Sequence, residues 1–230
     1  MSEHCVVPEG APMRIVIPVY DQVDMLDVCG PCEMYSWAKF QVDLVAEKPG
    51  EVRFNSGLVF HVSAGLDLPG PADALWVPGG DPAALTRIIA EGEKSPYLNF
   101  LKRQAAQSRW ICSVCEGALL LAAAGLLDGF LVTTHWAFIP YLMAYYPTVR
   151  VADGHPRFVI DRDRMTGGGI SSGLDAALKL IELLAGQETA ISVQQTTQYY
   201  PAPPVASAIP NVIATPMMPP PPMQKARAPK

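Results

Sequence analysis

An apolar strand that ends on a cysteine and gives way at once to alanine and leucine constrains this chain more than any other feature. Trp110-Ile111-Cys112-Ser113-Val114 has strand character, Cys115-Glu116-Gly117 follows, and Ala118 to Leu127 is an apolar helical run. This is the layout of a nucleophile elbow, a sharp strand-to-helix turn with a reactive side chain at its tip. A cysteine there faces the first turn of a helix, where unpaired amide protons and the helix dipole favour the thiolate. Cys115 is therefore the candidate nucleophile. A buried, inert cysteine would leave the same local pattern, because free Cys packs as a small hydrophobe.

The flanking sequence places the elbow in an alternation of strands and helices. Strands are expected at Arg14 to Tyr20, Phe40 to Ala46, Ala74 to Val77, Arg109 to Val114, Val132 to Thr134 and Phe158 to Thr166. Pro18 in the first of these suggests an irregular or exposed hydrogen-bonding side. Val52 to Val62, with Asn55-Ser56-Gly57 inside it, reads as a hairpin. Helical spacing runs over Gly30 to Lys39, Pro96 to Gln107, Ala137 to Tyr145 and Leu174 to Leu184. This order predicts an α/β layered domain with a mostly parallel sheet. Ligands in such sheets bind beyond the carboxyl ends of the strands, where both Cys115 and Gly79-Gly80 fall. Met1 to Pro12 reads as a loose leader, 13–204 as the α/β domain and 205–230 as a tail. Ten of the 23 prolines lie between Pro201 and Lys230, so the tail cannot build a packed core.

Composition removes several function classes. With 50% hydrophobic residues, 230 residues suffice for one substantial core. The net charge of −5 and the lack of a basic run argue against nucleic acid as a partner. The apolar run after the elbow is about half what a membrane span needs. The N-terminus shows no secretory signal, and an odd cysteine count of five suits a reducing compartment. The expectation is a soluble cytoplasmic protein acting on a small molecule.

Other constellations are weighed against the elbow. Cys29-Gly30-Pro31-Cys32 matches the thioredoxin tetrapeptide, but Val28 replaces the usual aromatic residue, and Pro suits a first helical turn. Two Cys-x-x-Cys pairs could nominally hold zinc, yet nothing else resembles a small zinc module, and no metal is expected. Asp27 either caps the helix that follows it or projects toward the thiol as a proton carrier. Pro78-Gly79-Gly80 is a turn whose bare amides could line an oxyanion site. Thr166-Gly167-Gly168-Gly169-Ile170-Ser171-Ser172-Gly173 lacks the Lys and Ser/Thr of a phosphate loop, so its glycines are read as allowing close backbone approach. His135 is a candidate base for Cys115 or a structural histidine.

Six separated motifs occur together: Leu26-Asp27-Val28-Cys29-Gly30-Pro31, Val77-Pro78-Gly79-Gly80, Ser113-Val114-Cys115-Glu116-Gly117-Ala118, Ala124-Gly125-Leu126-Leu127, Thr133-Thr134-His135-Trp136 and Gly167-Gly168-Gly169-Ile170. In this order the chain resembles the ThiJ/PfpI superfamily, and within it the isocyanide hydratases, from about Arg14 to Pro204. The resemblance implies a flavodoxin-like α/β sandwich and a homodimer. It also implies Cys115 as nucleophile and Asp27 as its acidic partner. Gly79, Gly80, Glu116 and Ile170 would form the oxyanion or substrate site, with His135 in support. The implied reaction hydrates an isocyanide to an N-substituted formamide without metal or organic cofactor. Glu116 departs from the Thr of the hydratase pattern. Because an unpaired buried carboxylate beside a thiolate is costly, Glu116 is expected to point to solvent. Two other readings use the same thiol: glyoxalase-type hydration of small dicarbonyls, and a redox sensor or binding domain without turnover.

Overall fold

The computed structural model describes residues 12–67 and 70–210. The leader, apart from Pro12, and the tail beyond Pro210 lie outside the described residues. In chain order, β1 (Arg14–Val19) leads to α1 (Met25–Trp37) and β2 (Gln41–Ala46). The expected hairpin follows as β3 (Gly50–Arg53) and β4 (Val59–Val62), then β5 (Ala64–Gly65) and β6 (Ala72–Val77). Next come α2 (Pro82–Ala90), α3 (Pro96–Ala105), β7 (Ser108–Ser113) and the elbow helix α4 (Gly117–Ala123). The chain continues with β8 (Leu131–Val132), α5 (Ile139–Tyr145), β9 (Arg150–Val151), β10 (Phe158–Asp161) and β11 (Arg164–Gly167). Helices α6 (Ser172–Ala185) and α7 (Gln187–Thr196) come last.

The main sheet has the order β10-β11-β7-β6-β1-β2-β5, parallel throughout except for the antiparallel β10–β11 pair. Alternation along the central strands sends residues to two faces, as period-two geometry requires. Val16, Leu75, Val77 and Ile111 pack with Leu85, Leu101 and Leu119 of α2, α3 and α4. Ile15, Ile17, Trp76 and Cys112 pack with Ala176, Leu180 and Ile181 of α6. Helices thus cover both faces of a mostly parallel sheet, the layered α/β domain that the strand–helix alternation predicts and the flavodoxin-like sandwich that the resemblance implies. Among the described residues, no helix is long and apolar enough to cross a membrane.

Four local readings need correction. Of the two readings of Pro18, the irregular one holds and the exposed one does not: β1 lies inside the sheet, its ladder to β6 stops at Val16, and the Pro18 carbonyl accepts from Tyr97 Oη at 3.0 Å. Helix α1 starts at Met25, so Cys29-Gly30-Pro31-Cys32 lies within the helix and Pro31 is interior. Pro31 has no amide to give the Asp27 carbonyl four residues earlier. The indole Nε1 of Trp76, on the central strand β6, donates to that carbonyl instead at 3.0 Å. The single strand expected over Phe158 to Thr166 is a hairpin, β10–β11, turning at Arg162. Helices α2 and α7 were not expected, although Asp81-Pro82 carries the signal for α2: the Asp81 side chain accepts from the amides of Ala83 and Ala84, and Pro82 opens the helix.

Candidate active site

The elbow is built as its sequence suggests. Cys115 follows β7 with φ +55°, in the left-handed region that costs a non-glycine residue roughly 1–2 kcal/mol. Three contacts hold it there. Its amide donates to the Gly168 carbonyl at 2.8 Å, its carbonyl accepts from Thr134 Oγ1 at 2.8 Å, and the Gly117 amide closes the turn onto Val114 at 2.9 Å. The glycine run after β11 therefore lies against the elbow backbone. Within it, Ile170 also adopts a positive φ of 31°, and its amide faces the Cys115 sulfur.

Three carboxyls converge on the thiol, and only one was assigned to it by sequence. Asp27 sits in the first turn of α1 rather than at its cap, which is Asp24. It is fully buried; Oδ2 accepts from the Gly79 amide at 2.9 Å, and Oδ1 has no hydrogen-bond partner. Asp24 approaches from the same turn, because residues three apart share a helix face. Asn55 Nδ2, from the β3–β4 turn, donates to Asp24 Oδ1. One ligand atom each from Asp24, Asp27 and Cys115 all lie within 4.8 Å of one another.

Glu116 does not point to solvent. It is 5% exposed, its carboxyl meets the Cys115 thiol, and Oε2 lacks a partner. The bare backbone of Gly79 makes room for it, since a Cβ there would stand 2.5 Å from Glu116 Oε2 and 2.8 Å from Cys115 Cβ. Burial there disfavours the charged form of the carboxyl. Burial raises the Glu116 carboxyl from an ordinary 4.5 to about 7, although the Cys115 thiol pulls it down. Burial likewise raises Asp24, and it raises Asp27 strongly, with Asp24 adding to the effect.

Electrostatics also reverse the thiolate expectation. Burial first, then Asp27 and Glu116, push the Cys115 thiol well above its ordinary range. The seven-residue α4 and the Ile170 amide do not overcome burial and these two carboxyls. The sulfur is also 1% exposed.

Of the amides expected to form an oxyanion site, that of Gly79 is already engaged. Gly79 donates to Asp27, while the amides of Gly80 and of Glu116 itself face the Glu116 carboxyl. The His135 ring caps the short turn Trp136–Phe138. Its Nδ1 accepts from the Ala137 amide at 3.2 Å, and its ring packs so closely on Gly169 that a Cβ there would stand 2.5 Å away. A cavity of about 310 Å³ opens beside the elbow, with Thr134, His135, Trp136, Arg157, Ile170 and Ile209 on its walls. Cys115 does not line it, but Ile170 and Thr134, which touch Cys115, do.

Asp24, Asn55 and Thr134 are the site residues that sequence reasoning missed. Asp24-x-x-Asp27 was a legible helical spacing, and Thr134 lay inside a quoted motif. Nothing in the sequence tied Asn55 to this end of the sheet.

The DJ-1/PfpI family model matches residues 13–183. The chain belongs to the DJ-1/PfpI family. It is 38% identical over 200 residues to isonitrile hydratase of Pseudomonas putida, covering 86% of this chain and 84% of that one. It is also 31% identical to the transcriptional regulator GbdR of Pseudomonas aeruginosa over 73% of this chain, which spans only 42% of the regulator. A ThiJ/PfpI family structure from Pseudomonas syringae superposes with a TM-score of 0.75 at 28% identity, covering 88% of this chain and 85% of that one.

Proposed function

We propose that the chain hydrates an isocyanide to an N-substituted formamide through a covalent adduct on Cys115. The observation that carries this reading is the Gly79 amide, which is taken by the Asp27 carboxylate at 2.9 Å, with the Gly80 and Glu116 amides turned toward the Glu116 carboxyl. A thiol attacking a carbonyl creates an oxyanion and needs free donors for it. A thiol adding to an isocyanide creates none and instead needs protons delivered at carbon and nitrogen. The site is rich in carboxyls that hold protons. The terminal –N≡C group is also slender and linear, which suits a sulfur that is only 1% exposed. Similarity to the P. putida isonitrile hydratase supports the same reading.

The thiol proton passes to the carboxylate of Glu116, which it already contacts, as sulfur bonds to the terminal carbon. A carboxylic acid of the cluster protonates that carbon, giving a thioimidate, R–N=CH–S. Water then adds to the C=N bond, Asp27 Oδ1 taking its proton while nitrogen receives one from a neighbouring carboxyl. Collapse breaks the C–S bond, the hydroxyl loses its proton, and formamide leaves as sulfur regains hydrogen. The Ile170 amide stabilises the departing sulfur. The sum is one isocyanide and one water to one formamide.

Incubation of purified protein with an aryl isocyanide tests the proposal. Formamide should accumulate, Cys115→Ala should produce none, and a thioimidate adduct should be trapped on the Cys115 peptide. Lactate from methylglyoxal without formamide from any isocyanide would overturn the reading.

A further inference from the structure

We infer that Asp24, Asp27 and Cys115 form a binding site for a divalent cation of the zinc class, whose occupation silences the thiol. One ligand atom from each lies within 4.8 Å of the others. Ligand atoms sharing one tetrahedral zinc stand about 3–4 Å apart, so small side-chain rotations close the set. The carboxyls are already aimed. Asn55 fixes Asp24 through Oδ1, and the Gly79 amide fixes Asp27 through Oδ2 at 2.9 Å. That leaves Asp27 Oδ1, on a fully buried side chain, with no partner. Beside them, Glu116 holds a second unpartnered oxygen, Oε2, on a side chain 5% exposed that packs against Gly79. Among the described residues, Asp24, Asp27 and Glu116 belong to no ion pair. Buried carboxyl oxygens left without donors are normally paired or coordinate a metal.

The donor set selects the cation. Sulfur with two carboxylate oxygens suits a four-coordinate, borderline-soft ion, whereas magnesium prefers octahedral oxygen ligands and keeps its water. On binding, the Cys115 S–H proton and the protons held by the ligating carboxyls leave to solvent, and S–metal and O–metal bonds form with no change of oxidation state. The sulfur lone pair that would attack an isocyanide is then committed to the cation. The same cluster therefore serves as a catalytic site when free of metal and as a blocked site when loaded.

The test is a cobalt(II) titration of chelator-treated, full-length protein carrying Cys29→Ser and Cys32→Ser, so that the helix α1 thiols cannot contribute. A sulfur-to-cobalt charge-transfer band should grow to one equivalent per chain, and zinc, but not magnesium, should remove it. Asp24→Asn, which keeps the shape of the side chain, should weaken cobalt at least tenfold. Cys115→Ser should abolish the band. Absence of the band in the parent protein, or a band indifferent to Asp24→Asn, would overturn the inference. The readout does not involve turnover, so failure of isocyanide hydration leaves the titration interpretable, and failure of the titration leaves the hydratase proposal standing.

Discussion

Replacing Trp76 by Phe should expose how α1 tolerates a proline in its interior while holding Asp27 in place. In the wild type the Asp27 carbonyl has lost its helical donor to Pro31, and Trp76 Nε1 supplies the missing bond at 3.0 Å. Trp76 is fully buried, so water cannot replace the indole. An orphaned buried carbonyl costs roughly 1–3 kcal/mol, and the void left by the smaller ring adds roughly 1 kcal/mol at about 24 cal/mol per Å³. The total, roughly 2–4 kcal/mol, corresponds to a melting temperature lower by about 10 °C for a chain of this size. Pro31→Ala restores an amide able to reach the same carbonyl. Alone it should change little, because the carbonyl is already satisfied and the unfolded chain regains freedom worth roughly 0.4–1 kcal/mol. In that background, Trp76→Phe should cost roughly 1–2 kcal/mol less than in the wild type. Urea unfolding of the four proteins measures the coupling. A value below about 0.5 kcal/mol would mean that the indole and the proline act independently, and the account of α1 would be wrong.

Other outcomes follow from the carboxyl cluster and the tight elbow. Glu116, raised from 4.5 to about 7, holds its proton more firmly folded than unfolded, so its share of stability is full below pH 4.5 and lost as pH rises through 7. Glu116→Gln should therefore be more stable than wild type above pH 7 by about 3 kcal/mol, seen as a flatter melting-temperature profile in chelating buffer; parallel profiles would refute the burial of charge there. Iodoacetamide at pH 7 should label exposed Cys29 before Cys115, whose thiol is raised and 1% exposed, and peptide mapping that finds Cys115 labelled first would restore the thiolate view. Gly117→Ala would set a Cβ 2.0 Å from the Val77 carbonyl oxygen and should abolish folded protein, as judged by circular dichroism. Gly129→Ala, at φ +74° in open space, should cost only roughly 1–2 kcal/mol.

The sequence by itself determined the layered α/β fold and the elbow. Strand and helix periodicity are local, and the turn at Cys115 is written in a few adjacent residues. It also brought Asp27, Gly79 and the Gly167–Ile170 loop to one end of a parallel sheet, since these motifs follow the ends of strands. Helix boundaries were less legible, because α1 runs through Pro31 only with help from Trp76, forty-five residues further along the chain. The chemistry of the thiol was decided by tertiary structure alone. Local pattern places a cysteine at a helix N-terminus and implies a thiolate. The fold surrounds it with Asp24, Asp27 and Glu116, removes water, and raises its pKa. A dipole over one helical turn is a small effect that sequence can read. The desolvation of four acidic groups gathered from α1, its cap and the elbow is a large one, and it exists only once those segments have met.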